Sequence, residues 1–312
     1  MAISKGMLAA LRALSAAASV DVEKSYKLER AVQDVVKRHY VRPPLYKAWN
    51  HLVPCGDHQV PVRLFTHPDG LLHPVILYFH GGGWVTGNVD TYDRVCTDLA
   101  RLTGHVVVSV DYRLAPEHPF PQGLEDCYAV AKLLYQNSQI LFAKPEQITL
   151  MGDSAGGNLA AAVSLLARDR GEFAPPRQIL LYPAVYNDYS EASPFPSVKE
   201  NGTDYILTAK RVEDFMELYQ SSPEDRQSPY FAPLLAEDLS RQPRTLILTA
   251  QYCPLRDEGE EYGRRLAQAG NRVEVCRIPD ALHGYFSLGP RYAAVRRSYE
   301  IINRFLEEVQ YP

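Results

Sequence analysis

An α/β fold with a mostly parallel sheet is what the 312-residue sequence predicts, on three observations. Short apolar runs bounded by Gly or Pro alternate with longer stretches of helical spacing, the rhythm of a parallel sheet crossed by helices. One run, Ile148–Met151, passes through Gly152-Asp153-Ser154-Ala155-Gly156 straight into the Ala- and Leu-rich stretch Ala155–Leu166. That is strand, sharp turn and helix in G-x-S-x-G spacing, which lifts a serine hydroxyl clear of the sheet. The composition, 46% hydrophobic and 22% charged, is that of an ordinary globular protein.

Residues 1 to about 45 read as helical. Lys5 and the apolar Met7–Leu11 hint at a secretory leader, but Arg12 interrupts the run. Leu8, Leu11 and Leu14 share one helical face, so an amphipathic helix is the better reading. From Asp21 to Val36, the residues Val22, Tyr26, Leu28, Val32, Val35 and Val36 recur at roughly helical spacing, ending before Pro43-Pro44. In 51–66, Val60, Val62 and Leu64 alternate with Pro61 and Arg63 as short strand-like pieces. A turn at His67-Pro68-Asp69-Gly70 leads to the buried strand Val75–Phe79.

That strand runs into His80-Gly81-Gly82-Gly83-Trp84, whose glycines leave backbone N–H groups open to an anion. A flexible loop is the plainer alternative, disfavoured by the position directly after a strand. His80 itself is assigned a structural role. Val106–Val110 is the next strand, followed by Asp111-Tyr112-Arg113-Leu114-Ala115-Pro116-Glu117. Further strands are expected at Ile179–Leu181, Thr245–Thr249 and Val273–Ile278.

Residues 187–229 break the rhythm with four prolines and one helix, Thr208–Tyr219, begun by an N-cap threonine. They read as an insertion above the sheet, packed on the N-terminal helices. In the helix Asp257–Ala269, Glu260 is expected to pair with Arg264 and Glu261 with Arg265 on a solvated face.

A serine hydroxyl attacks only when a base takes its proton. Of nine histidines, His283 follows the last strand closely, in a loop at the same sheet edge as Ser154.

The motifs His80–Trp84, Asp111–Glu117, Gly152–Asn158 and Pro254–Glu258 together resemble the hormone-sensitive-lipase branch of the α/β-hydrolases, which includes bacterial carboxylesterases and acetyl esterases. The similarity extends from roughly residue 40 to the C-terminus. It implies an α/β-hydrolase fold: a mostly parallel central sheet with helices on both faces and a helical cap. The cap is then a segment at 1–50 plus the insertion 187–229, over a catalytic core at 51–312. The resemblance further implies a serine carboxylesterase that hydrolyses short-chain esters through an acyl-enzyme intermediate. In it Ser154 is the nucleophile and His283 the base, with an oxyanion hole from the backbone of Gly81, Gly82, Gly83 and Ala155. The family works without metal or cofactor, on small-molecule esters.

One departure stands out. The family's acid is the first residue of an Asp-Pro-Leu-x-Asp block, which here reads Cys253-Pro254-Leu255-Arg256-Asp257. A neutral thiol is a weak acceptor and stabilises an imidazolium poorly. Three readings stay open: Asp257 or Glu258 substitutes through a reshaped loop; Cys253 itself holds His283 weakly; or the cysteine is an engineered or drifted lesion in an otherwise ordinary esterase. A catalytically degenerate hydrolase that binds a small molecule is the rival function.

The net charge of −4 argues against nucleic acid or an anionic membrane as partner, and no run of 18 apolar residues exists. Cys55, Cys96, Cys127, Cys253 and Cys276 are odd in number and scattered, without C-x-x-C or zinc-site spacing. Reduced thiols in a cytoplasmic compartment fit best. A homodimer paired through the last strand, near Val273–Ile278, is compatible with the sequence but not required by it.

Overall fold

Runs that are apolar without alternation become strands buried on both faces. The computed structural model describes residues 22–37, 47–67, 69 and 71–307; the stretch holding Leu8, Leu11 and Leu14 lies outside them. Its strands are β1 (Lys47–Cys55), β2 (His58–Thr66), β3 (Val75–Phe79), β4 (Val106–Val110), β5 (Ile148–Asp153), β6 (Arg177–Leu181), β7 (Arg244–Tyr252) and β8 (Val273–Leu282). They form one sheet in the order β1-β2-β4-β3-β5-β6-β7-β8. From β4 through β8 all neighbours pair parallel, while β1–β2 and β2–β4 pair antiparallel. Every residue of β3 and β5 is buried, as a central strand between two helix layers requires.

Helices α1 (Val22–Lys37), α2 (Asp93–Thr103), α3 (Gln122–Gln136), α4 (Ala155–Arg170), α5 (Pro196–Asn201), α6 (Ala209–Tyr219), α7 (Arg256–Gln268) and α8 (Ala293–Glu307) complete the described chain. Around the sheet, α2 packs on α8 and α3 on α4. The fold is that of the α/β-hydrolases. A core of this kind is held chiefly by apolar burial, with Phe65, Ile76, Leu77, Tyr78 and Phe79 fully enclosed.

Several boundaries differ from the sequence expectation. β1 begins at Lys47, inside the stretch assigned to the 1–50 cap segment. It is an edge strand with Trp49 and Leu52 exposed, so no alternation marks it. β8 runs on to Leu282, past the strand breakers Pro279 and Asp280 (φ 56°), through a register irregularity that pairs Leu282 with Tyr252. The stripe on α1 is also corrected: Val22 and Tyr26 are buried, but Leu28 and Val32 are 67% and 53% exposed. The inward face repeats at i, i+4 and i+7 from Val22, which brings Glu29 and not Leu28 toward the protein.

Above the sheet, α1 packs on α6, and Glu29 pairs with Arg211 across them. Arg30 ties α1 to the core through the carbonyls of Val85 (2.7 Å) and Ala115 (2.8 Å) and through Glu117. Thr208 caps α6, its side chain accepting the Arg211 N–H. The insertion also holds α5, a second short helix opened by Pro196 at its first position. On α7 the expected ion pairs do not form. Glu260 reaches Arg277 on β8, Glu261 pairs with Arg264, and Arg265 donates to the carbonyls of Leu234 and Ala236, since this face packs on its neighbours.

Candidate active site

Ser154 sits alone between β5 and α4 at φ 55°, ψ −120°, a conformation L-residues adopt only under constraint. The constraint is visible: its N–H donates to Leu181 O at 2.8 Å, and its carbonyl accepts from Asn158 N–H at 3.0 Å. The flanking glycines are required by contact. A Cβ on Gly156 would lie 2.0 Å from Phe79 O, and one on Gly152 would lie 2.1 Å from Gly156 O. Thus β3, β5 and α4 close on one another only without side chains at these two positions.

His283 follows β8 directly and presents Nε2 to Ser154 Oγ at 2.9 Å. Tyr182 meets its ring edge-on at 4.9 Å. On its far side, Cys253 places Sγ 3.1 Å from Nδ1. Cys253 is fully buried at the β7–α7 junction, and Sγ also accepts the Leu255 N–H at 3.4 Å. Burial pushes the thiol far up, so at neutral pH it is S–H and not thiolate. Burial likewise pushes His283 down to about 3.

A neutral thiol leaves the imidazole two choices. If S–H donates to Nδ1, the ring proton stays on Nε2, and the nitrogen facing Ser154 cannot act as base. If Nδ1–H donates to sulfur, the tautomer is productive but the acceptor is weak and already used by Leu255. Neither choice supplies the charge that an aspartate supplies.

The proposed substitute acids point elsewhere. Asp257 accepts from Ser197 N–H (2.7 Å) and Arg256 Nε (2.7 Å). Burial opposes its ionisation, but Arg256 and Ser197 hold its carboxyl below the usual range. It therefore belongs to the α5–α7 junction and not to His283, because α7 begins at Arg256 and carries Asp257 outward. Glu258 is fully buried, with Oε1 accepting from Val185 N–H (2.7 Å), Tyr186 N–H (3.2 Å) and Tyr189 O–H (2.6 Å). It pins the segment after β6 and does not contact His283.

Burial raises Glu258 to about 8 against the pull of those three donors. A carboxyl harder to ionise when folded contributes stability that is complete below its ordinary 4.5 and lost as pH rises toward 8. The Tm of the native protein is therefore expected to fall relative to Glu258→Gln across that window, in parallel thermal melts. A constant difference between the two would contradict the assignment.

The glycine loop contains a second correction. Gly81 N–H donates to Asp153 Oδ1 (2.9 Å) and Tyr92 OH (3.1 Å), so it cannot serve an oxyanion. Among the described residues no acceptor takes the N–H groups of Gly82, Gly83 or Ala155. All three border a cavity of about 220 Å³ together with Ser154 and His283. The carbonyl of Gly82 is held by Thr86 N–H at 2.9 Å and Thr86 Oγ1 at 3.0 Å, which fixes the Gly82–Gly83 peptide plane and so the direction of Gly83 N–H.

The cavity wall is apolar, formed by Trp84, Leu207, Val212, Phe215 and Leu255, and the Glu29–Arg211 pair stands at its border. Trp84 stacks on Tyr219 at 4.5 Å, joining the glycine loop to α6. Sequence patterning could not single out Phe215 on α6 or Leu207 in the bend before it, since apolar residues look the same whether they face core or substrate. Asp153 was equally hidden, as the variable x of G-x-S-x-G. The one His/Asp cluster with metal-ligand spacing among the described residues, His67, Asp69 and His73, precedes β3 at the opposite sheet edge.

A serine hydroxyl on an imidazole, beside three outward amides in an apolar cleft, is an arrangement for acyl transfer. The family model that matches residues 76–287 is described as alpha/beta hydrolase fold. Over 223 residues the chain is 42% identical to Esterase LipI of Mycobacterium tuberculosis, covering 70% of this chain and 68% of that protein. It is 36% identical to the ethyl acetate hydrolase of Pseudomonas putida, covering 74% and 73%. Among solved structures, the hyperthermophilic esterase from the archaeon Pyrobaculum calidifontis superposes with a TM-score of 0.86 at 38% identity, covering 98% of both chains.

Proposed function

This chain belongs to the α/β-hydrolase-fold family, in its hormone-sensitive-lipase-like branch, and from that premise we propose how it acts as a carboxylic ester hydrolase. Ser154 attacks the ester carbonyl while His283 Nε2 takes its proton. The N–H groups of Gly82, Gly83 and Ala155 stabilise the oxyanion, where one such donor is typically worth about 10² to 10³ in rate. His283 returns the proton to the leaving alcohol, and the acyl group stays on Ser154 until an activated water removes it. The observation that carries this reading is the 2.9 Å contact between His283 Nε2 and Ser154 Oγ at the mouth of the amide cradle.

Cys253 stands in the acid position and makes the enzyme a weak one. The small cleft of about 220 Å³ and the ethyl acetate hydrolase relative favour short acyl chains and small alcohols. Helix α1 and the insertion 187–229 act as the cap over the core, α1 packing on α6 beside the cavity. The five free thiols suit a cytoplasmic setting, and among the described residues no helix is long and apolar enough to cross a membrane. A second copy would pair along β8, which ends the sheet.

The purified protein is expected to hydrolyse p-nitrophenyl acetate and butyrate faster than the longer-chain esters, unaffected by a metal chelator. The neutral Cys253 favours one competing reading, a hydrolase retained for binding. Saturable binding of a short ester with no nitrophenol release over hours would establish that reading and remove the esterase.

A further inference from the structure

Asp153 is a buried carboxylate, 5% exposed, immediately before the nucleophile, and ester hydrolysis as described gives it no part. Burying a carboxylate is costly unless donors surround it. Here there are three: Tyr78 O–H on β3 at 2.8 Å, Tyr92 O–H ahead of α2 at 3.0 Å, and Gly81 N–H at 2.9 Å. Burial still raises its carboxyl to about 6. Two of these donors are fixed by the core. The third belongs to the loop whose next two amides face the oxyanion.

The placement has a geometric consequence. Gly81 is gripped at both ends: its N–H by Asp153 and Tyr92, and its carbonyl by His80 Nδ1–H at 2.8 Å. In a trans peptide the N–H of Gly82 points opposite to the carbonyl of Gly81. Fixing Gly81 therefore aims Gly82 N–H. A Cβ on Gly81 would lie 2.7 Å from Asp153 Oδ2, so the carboxylate and the bare glycine backbone fit as a pair.

We propose that Asp153 is a positioning residue for the oxyanion hole, holding Gly81 so that Gly82 N–H is preset toward the developing negative charge. The proposal rests on the oxyanion role assigned above to Gly82 and Gly83. Displacing a preset donor weakens transition-state binding and leaves ground-state binding nearly untouched. The effect thus appears in kcat and in capture of tetrahedral mimics, while KM moves little.

Wild type, Asp153→Ala and Asp153→Asn are compared on p-nitrophenyl acetate, and for their rate of inactivation by a p-nitrophenyl alkylphosphonate, whose phosphoryl oxygen enters the same cradle. Asp153→Ala is expected to lower kcat and the phosphonylation rate together, by about 10² to 10³, with KM changed less than about threefold. Asp153→Asn keeps an acceptor for Gly81 N–H and is expected to recover to within about tenfold of wild type. Tyr92→Phe removes one support of the same carboxylate and is expected to lower kcat by about tenfold, which keeps the test open if Asp153→Ala does not fold. Unchanged kcat and phosphonylation in Asp153→Ala or Tyr92→Phe overturns the proposal, as does an Asn variant as impaired as Ala. A wild type that neither turns over nor is phosphonylated on Ser154 overturns instead the functional reading beneath it, and the proposal with it.

Discussion

Ser154→Ala is expected to lose about 10² in kcat in the native chain, but about 10⁶ when built into Cys253→Asp. The difference follows from how a triad works as a unit. In a serine protease with all three members, removing the nucleophile costs about 2 × 10⁶ and removing the acid alone about 3 × 10⁴. A chain already lacking the acid has surrendered most of that span. What Ser154 still contributes is the quotient, about 10². The remaining acceleration comes from the amide cradle and the cavity, which act without a nucleophile. The check is p-nitrophenyl acetate turnover by the four proteins of the double-mutant cycle. Equal rates for wild type and Ser154→Ala would end the serine mechanism. Equal losses in both backgrounds would mean that Cys253 is no deficit.

Cys253→Asp is expected to raise kcat/KM by about 10 to 10⁴. Sulfur lies 3.1 Å from His283 Nδ1, so a carboxylate on the same backbone reaches the ring with little rearrangement. The Leu255 N–H that now points at Sγ becomes a donor to the new anion. Two changes follow. The carboxylate cannot donate, which removes the tautomer with the proton on Nε2. Its charge also opposes the desolvation that drives His283 to about 3, so the base titrates nearer neutrality. The acid limb of the pH–rate profile is therefore expected to move upward in Cys253→Asp. A variant no faster than wild type would mean that another group already supports the imidazole, although Asp257 and Glu258 are both engaged elsewhere.

Strands β3 to β6 and the helix after Ser154 were legible because buried strands and Ala-rich helices write their burial into the chain. The edges were not: β1 and the end of β8 have one partner each and half-exposed faces, so their residues answer to solvent. The same division runs through the site. Ser154 and His283 announce themselves by local spacing, whereas Gly81 looks identical to Gly82 and Gly83 until Asp153 and Tyr92 are seen to take its N–H. Asp257 is close to Cys253 in sequence but turned to Arg256 and Ser197, a choice made by where α7 starts. Adjacency along a chain sets distance, and packing sets direction.

The most direct measurement is intact-protein and peptide mass spectrometry after a rapid acid quench of wild type with p-nitrophenyl acetate. A nitrophenyl ester acylates readily, while release needs a base that Cys253 supports poorly, so one acetyl group is expected to accumulate on the peptide carrying Ser154. Steady nitrophenol release with Ser154 unlabelled, or an acetyl group on another residue at the rate of turnover, would contradict the account.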